Sequence, residues 1–202
     1  MSNLMKKLWC VFAAMALSAC STMNNNRAVP ERFSELHFDN KAPIQLNVKQ
    51  ININSEFTPS FTRPNVEHLF PVSIEKTATT WAKERLEAVD MNSGRIAEFI
   101  IHDASVTESE VKAEQFLQKD SLNYHANLKV TLKVIDAKST AQTTVKAYRE
   151  LTMPIDTSIG DKEQYWNDMV VKLFQAFDEH MQINAEKYLN MYIKGNDSVT
   201  VF

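Results

Sequence analysis

The chain has 202 residues, enough for one domain with a real core, and its 22 Lys+Arg against 25 Asp+Glu give a formal charge of −3. No basic stripe occurs, so nucleic acid is a poor partner, and anionic lipid headgroups have little to attract. With 3 glycines in all, tight backbone cradles for phosphate are implausible, and turns must use Asn, Asp, Ser and Pro.

The chain opens on Lys6-Lys7, the apolar run Leu8 to Ala16 and then Leu17-Ser18-Ala19-Cys20. A basic start, a short apolar middle and small closing residues compose a bacterial secretory signal. The run is about half of what a membrane-spanning helix needs. The closing tetrapeptide looks like a lipobox. Residues 1–19 are therefore expected to be a lipoprotein signal peptide. Cys20 becomes the mature terminus, bearing diacylglycerol and an N-acyl chain such as palmitate, and attaches the chain to a membrane. Ser21 replaces the Asp that resembles an inner-membrane retention signal in enteric bacteria. The expected location is thus the outer membrane, facing the periplasm, with the inner membrane as the alternative. Losing Lys6 and Lys7 takes the 22 basic residues to 20 against 25 acidic ones, so the mature chain is more acidic still. Cys10 leaves with the signal and Cys20 is acylated, which rules out a disulfide or a Cys-based metal site in the mature domain.

Residues 20–41 read as a tether, with Asn24-Asn25-Asn26 and Pro30, and Phe33, Leu36 and Phe38 are placed to pin its end. A domain is expected over 42–193 and a tail over 194–202. Ile44, Leu46 and Val48 alternate as in a strand, and Ile51 and Ile53 resume in opposite phase, which predicts a β-bulge near Lys49-Gln50. Ser73 caps a helix with Ile74, Ala78, Trp81, Ala82, Arg85, Leu86 and Val89 on one face, ended by Asn92-Ser93-Gly94. A strand follows from Ile96 to Ile101, with a continuation past a kink to Val106, and then a polar excursion over 112–121. Leu122 to Val134 place an apolar residue at every second position, so that strand has one buried and one wet face. A turn at Asp136 to Ser139 returns the chain as a hairpin over Ala141 to Met153. Asp161 and Gln164 resemble a capping box. The helix after it carries Trp166, Met169, Val170, Leu173, Phe174, Phe177, Met181 and Ala185, and Gly195 closes it. The predicted fold is α+β: a two-layer sandwich of a mostly antiparallel four-stranded sheet with two helices on one face. The crossover through the first helix makes the first two strands parallel neighbours.

The chemistry-bearing residues do not assemble into a reaction site. His37, His68, His102, His125 and His180 lack the spacing of helical or hairpin metal ligands. His102 and Asp103 are adjacent on a strand, so they point to opposite faces and cannot orient each other as a triad requires. No nucleophile elbow, phosphate loop or zinc-protease motif occurs. The reading is non-enzymatic, with no metal and no cofactor.

One segment asks for more than a fold. Phe57 to Pro71 is rich in aromatics and stiffened by Pro59, Pro64 and Pro71. In one reading Phe57, Phe61, Leu69 and Phe70 pack over an end of the sandwich. In the other, some of these side chains meet a partner, with Arg63, Phe61, His68 and Phe70 as the docking residues.

The segments Arg63 to Pro71, Trp81 to Leu86 and Ile101 to Val106 resemble a family of short proteobacterial lipoproteins, over about residues 43–185. That resemblance implies no activity. The element order is loosely similar to YajG-type lipoproteins, the lipopolysaccharide-assembly lipoprotein and the auxiliary lipoproteins of ABC-type lipid transporters. Their mode of action implies a non-catalytic protein that docks to another envelope component. The mature start Cys20-Ser21-Thr22 departs from the Cys-Gly-Phe of the lipopolysaccharide-assembly family. The alternative function is a periplasmic carrier of a small apolar ligand or lipid, held in a cavity behind Trp81 and Trp166.

Overall fold

The computed structural model describes residues 33–113 and 119–195. The element order is β1 (Ile44–Leu46), β2 (Gln50–Ser55), α1 (Ile74–Arg85), β3 (Leu86–Ala88), β4 (Ile96–Asp103), β5 (Val106–Val111), β6 (Ser121–Ile135), β7 (Thr140–Pro154) and α2 (Ile159–Tyr188). The fold is mixed α+β, with a mostly antiparallel sheet of five strands in the order β2-β4-β6-β5 and β7 on the other side of β6. The five strands occupy four rows. β4 and β5 lie end to end along the same side of β6, with Asp103 opposite Lys129 and Val106 opposite Ala126, and a register shift at Ile101/Asp103 is the kink between them. β2 and β4 are parallel neighbours across α1, as the crossover requires.

β6 is the organising strand. Tyr124, Ala126, Leu128, Val130, Leu132 and Val134 are all buried. The residues between them face outward in register with the exposed side chains of β7. Both helices cover the inner face. Trp81 of α1 stacks on Phe99 of β4 at 5.6 Å and meets Phe177 of α2 edge-on at 5.0 Å. Trp166, near the start of α2, stacks on Phe70 at 5.0 Å and touches Tyr124 edge-on. The hairpin turn closes where the spacing places it, with Asp136 N–H donating to Ser139 O at 2.8 Å.

Four local expectations are corrected. Lys49-Gln50 is no bulge. The chain leaves β1, which pairs in parallel with β3 in a separate two-stranded sheet, and enters β2 of the main sheet. The first helix starts on Ser73, whose side chain accepts from Lys76 N–H, but it stops at Arg85 rather than near Asn92. Carbonyls at and just after the end of β1 recruit the following backbone: Val89 N–H donates to Leu46 O and Asp90 N–H to Val48 O. These long-range bonds override a local pattern that would run on as helix. The long helix is capped by Ser158, three residues before the expected Asp161. Asp161 N–H donates to the Ser158 hydroxyl, and that hydroxyl donates to the Asp161 carboxylate. At 30 residues this helix is about 45 Å long. Gly195 does not close it: the helix ends at Tyr188 with Leu189 as its C-cap, and a 3-10 turn over Asn190–Tyr192 follows. Gly195 comes after that turn with a φ of +92°, a conformation that favours glycine.

Leu128 is buried and Lys129, one residue on, faces outward. Leu128→Ala should therefore cost about 2–5 kcal/mol in chemical denaturation. Lys129→Ala should change stability by no more than about 0.5 kcal/mol. Equal losses would contradict a sheet with one wet face.

Candidate functional site

Two constellations stand out from the core: a polar clamp between the helices, and the proline-aromatic loop at the β5 edge. The clamp centres on Asp178, a buried carboxylate on α2. Its Oδ1 accepts from Trp81 Nε1 at 2.8 Å and from Arg85 Nε at 2.8 Å, both on α1, and its Oδ2 accepts from Lys41 Nζ at 2.5 Å. Arg85 is equally buried. It also donates to Ala42 O and, through Nη2, to Gln182 Oε1 at 2.9 Å. Burial alone would raise the Asp178 pKa. The donors from Lys41, Arg85 and Trp81 outweigh it and hold the carboxyl below its usual range. A cleft of about 590 Å³ opens over these groups, lined by Lys41, Arg85, Gln175, Asp178 and Gln182 among others. Arg85 spends its guanidinium on protein acceptors, so the cluster is built to hold elements together.

What it holds is the segment 33–42. Phe33, Leu36 and Phe38 pack on the core, as their placement predicts, and Phe38 lies 5.8 Å from the ring of Phe174. Glu35 pairs with Lys76, and Glu84 accepts from His37 Nδ1 at 2.7 Å and from Phe38 N–H at 2.6 Å. The hydrogen bond and charge of Glu84 raise the His37 pKa. The C-terminal part of the segment read as a tether thus forms a strap across α1 and α2. Cys20 and the signal lie outside the described residues, as does 196–202 of the tail.

The loop is zipped to the edge of β5. Val66 N–H donates to Val106 O at 2.8 Å, Glu108 N–H to Pro64 O at 2.8 Å, and Ser60 N–H to Glu67 Oε1 at 2.8 Å. Phe70 and Val66 are buried beneath it. Phe70 therefore faces the core and supports the loop from below. Arg63 is exposed, but its guanidinium is paired with Glu108, whose other oxygen accepts from the Tyr124 hydroxyl at 2.6 Å. Burial pushes the Tyr124 hydroxyl up. The charge at Arg63 is thus tied through Glu108 to β6. Phe61 is 73% exposed and stands 5.4 Å from the His68 ring, and Leu69 is also exposed. The structure brings Phe61, His68 and Leu69 together on the rim, with Arg63 on the same loop, and separates Phe70 from them.

The histidines of the sheet are taken up elsewhere. His102 Nδ1 meets Glu56 at 2.7 Å and its Nε2 meets Thr131 at 2.9 Å, while Asp103 accepts from Ser105 N–H. His102 and Asp103 do not meet. The clamp was not singled out from the sequence, although its signal is there: Arg85 sits on the apolar face of one helix, and Asp178 sits between Phe177 and Met181 on the other.

No protein-family model matches the chain, and no curated protein does. Solved structures similar to it at low identity include two lipoproteins. One is a minor lipoprotein from Acinetobacter baumannii, 13% identical, covering 71% of this chain and 96% of that one with a TM-score of 0.38. The other is the rare lipoprotein B from Shewanella oneidensis, 11% identical, covering 68% and 98% with a TM-score of 0.31.

Removing the carboxylate of Asp178 strands a buried Arg85. Asp178→Ala should cost about 3–5 kcal/mol, read as a lowered melting temperature. Because the folded pKa lies below the unfolded one, the contribution is present above the unfolded value near 4 and is lost as pH falls through the folded value. The variant should therefore lose part of the acid-side slope that the parent shows.

Proposed function

We propose that this chain is a lipid-anchored accessory protein of the bacterial envelope, attached through Cys20 at the outer membrane and facing the periplasm. It docks another envelope protein and carries out no chemistry of its own. The observation that carries the docking role is the exposed Phe61–His68 pair beside Leu69, on a loop held from beneath by Phe70 and Val66 and along its side by β5. A loop fixed before binding loses little entropy on binding, and aromatics with an arginine nearby are frequent interface anchors. The carrier reading has less support. Trp81 and Trp166, where an apolar ligand was expected, are packed against Phe99, Phe177, Phe70 and Tyr124. The anchor rests on the lipobox-like Leu17 to Cys20 and its basic, apolar approach.

The docking rim is tested by separating binding from stability. Phe61→Ala should leave the melting temperature unchanged and reduce crosslinking to an envelope protein from a photoreactive residue placed at position 69. Phe70→Ala, by emptying a buried ring site, should lower stability by about 3–5 kcal/mol. Loss of stability in Phe61→Ala with crosslinking retained would reduce the loop to a cover.

The anchor is tested separately. Cys20→Ser should leave an unprocessed precursor without lipid, while the parent should require detergent for extraction because more than one acyl chain binds a bilayer firmly. Normal processing of the variant, or a parent mass without lipid, would remove the anchor from the proposal.

A further inference from the structure

One of the two longest strands of the sheet, β7, leaves one side open. β7 pairs with β6 over fifteen residues in unbroken register, from Ser121 opposite Pro154 to Ile135 opposite Thr140. Just beyond its two ends, Ser139 O accepts from Asp136 N–H and Ile155 N–H donates to Asp120 O. Hydrogen-bonded pairs alternate along an antiparallel ladder. The odd-numbered residues of β7 therefore bond to β6. The even-numbered ones, Gln142, Thr144, Lys146, Tyr148, Glu150 and Thr152, turn their backbone N–H and C=O groups away from it. Among the described residues, those groups meet only the Arg149 side chain, which donates to Tyr148 O at 3.2 Å. The same even-numbered side chains are exposed, and Tyr148 is one of the most exposed large side chains of the sheet. Beside the edge runs a groove of about 300 Å³ between Thr144, Val145 and Lys146 of β7 and His180, Ile183 and Asn184 of α2.

A long unpaired edge is a template for another strand. We propose that this edge takes β7 of a second copy of the chain, antiparallel, about a twofold axis through Tyr148. The side-chain order selects both the occupant and the register. With the axis at Tyr148, Lys146 lies opposite the partner's Glu150, the symmetry repeats that pair, and Thr144 lies opposite the partner's Thr152. An axis at Lys146, Arg149 or Glu150 sets like charges directly opposite, and an axis at Ala147 matches no charges. Opposite charges and Thr–Thr pairs across strands stabilise a ladder, and like charges destabilise it. Within its own chain Glu150 reaches His125 Nδ1 at 3.3 Å, while Lys146 makes no ion pair among the described residues. Paired in this way, the four rows of one sheet continue into the four rows of the next. This surface lies apart from the Phe61 rim, and the inference does not rest on the docking or anchoring proposals.

The test uses the full chain in cells treated with a membrane-permeant thiol oxidant, so that the readout does not depend on the compartment. It reads disulfide-linked dimer on a non-reducing gel against the parent chain, whose own cysteines are Cys10 and Cys20. Directly opposite residues in a hydrogen-bonded pair have Cα atoms about 5.5 Å apart, within disulfide reach. Tyr148→Cys should therefore crosslink to its copy. Lys146→Cys should not, because four residues of offset separate the two thiols by about 13 Å. In the Tyr148→Cys background, Lys146→Glu should cut the crosslinked fraction about tenfold by opposing like charges, and adding Glu150→Lys should restore it. Failure of Tyr148→Cys to crosslink, with its melting temperature unchanged, would overturn the proposal. So would an increase in dimer on Lys146→Ala, which would make Lys146 a guard against edge pairing. A disulfide from position 148 to a different polypeptide would overturn it as well, by giving the edge to another occupant.

Discussion

Asp178 is the point on which both helices depend. It sits on the face of α2 that also carries Phe174, Phe177 and Met181, and it receives donors from two turns of α1 at once, Trp81 and Arg85. A lone carboxylate there would be costly to bury. The donors from Trp81 and Arg85 convert that cost into a fixed relation between two helices that otherwise share apolar surface and one further polar contact, from Arg85 to Gln182. Apolar contact alone is non-directional and tolerates sliding, whereas a carboxylate with two occupied oxygens does not. The stacking of Trp81 on Phe99 and its edge contact with Phe177 follow from where that indole is held. The seating of α1 over β4 is set from the helix side as much as from the sheet.

The parts of this fold that were legible in the sequence are those with an unambiguous period. β6 alternates over its whole length, and its buried face can be read residue by residue. The hairpin, the parallel pairing of the first two strands of the main sheet and the stripe of α2 follow from similar logic. What escaped was decided at a distance. Leu86 to Ala88 looks like the last turn of a helix, and becomes a strand because β1 lies beside it with carbonyls to satisfy. The phase switch near Lys49 was visible, but period alone cannot say whether a chain bulges within one sheet or passes to another.

The loop at the β5 edge shows the same division. Its stiffness and apolar character were plain from three prolines and its aromatics, and the roles within it were not. Phe61 and Phe70 are the same residue type nine positions apart in one loop, yet one is open to solvent and the other lies on Trp166. Arg63 reads from the sequence as a docking residue, and its tie to Glu108 depends on a strand more than forty residues away. Composition identified the segment, and only the three-dimensional neighbours sort its members into support and rim.

The strap over residues 33–42 bears on how the domain carries load. Along it, three acidic groups grip in sequence: Glu35 to Lys76, Glu84 to His37, and Asp178 to Lys41. The acidic side chains are 49%, 22% and 4% exposed in that order. Exposed ion pairs are worth little and buried ones break at a high cost. Tension applied at the N-terminal end of the strap would meet the most solvated contact first and the least solvated last. The strap would peel in steps before force reached the helix interface, and the sheet, whose ladder lies beyond Asp178, would be strained only after the strap had gone.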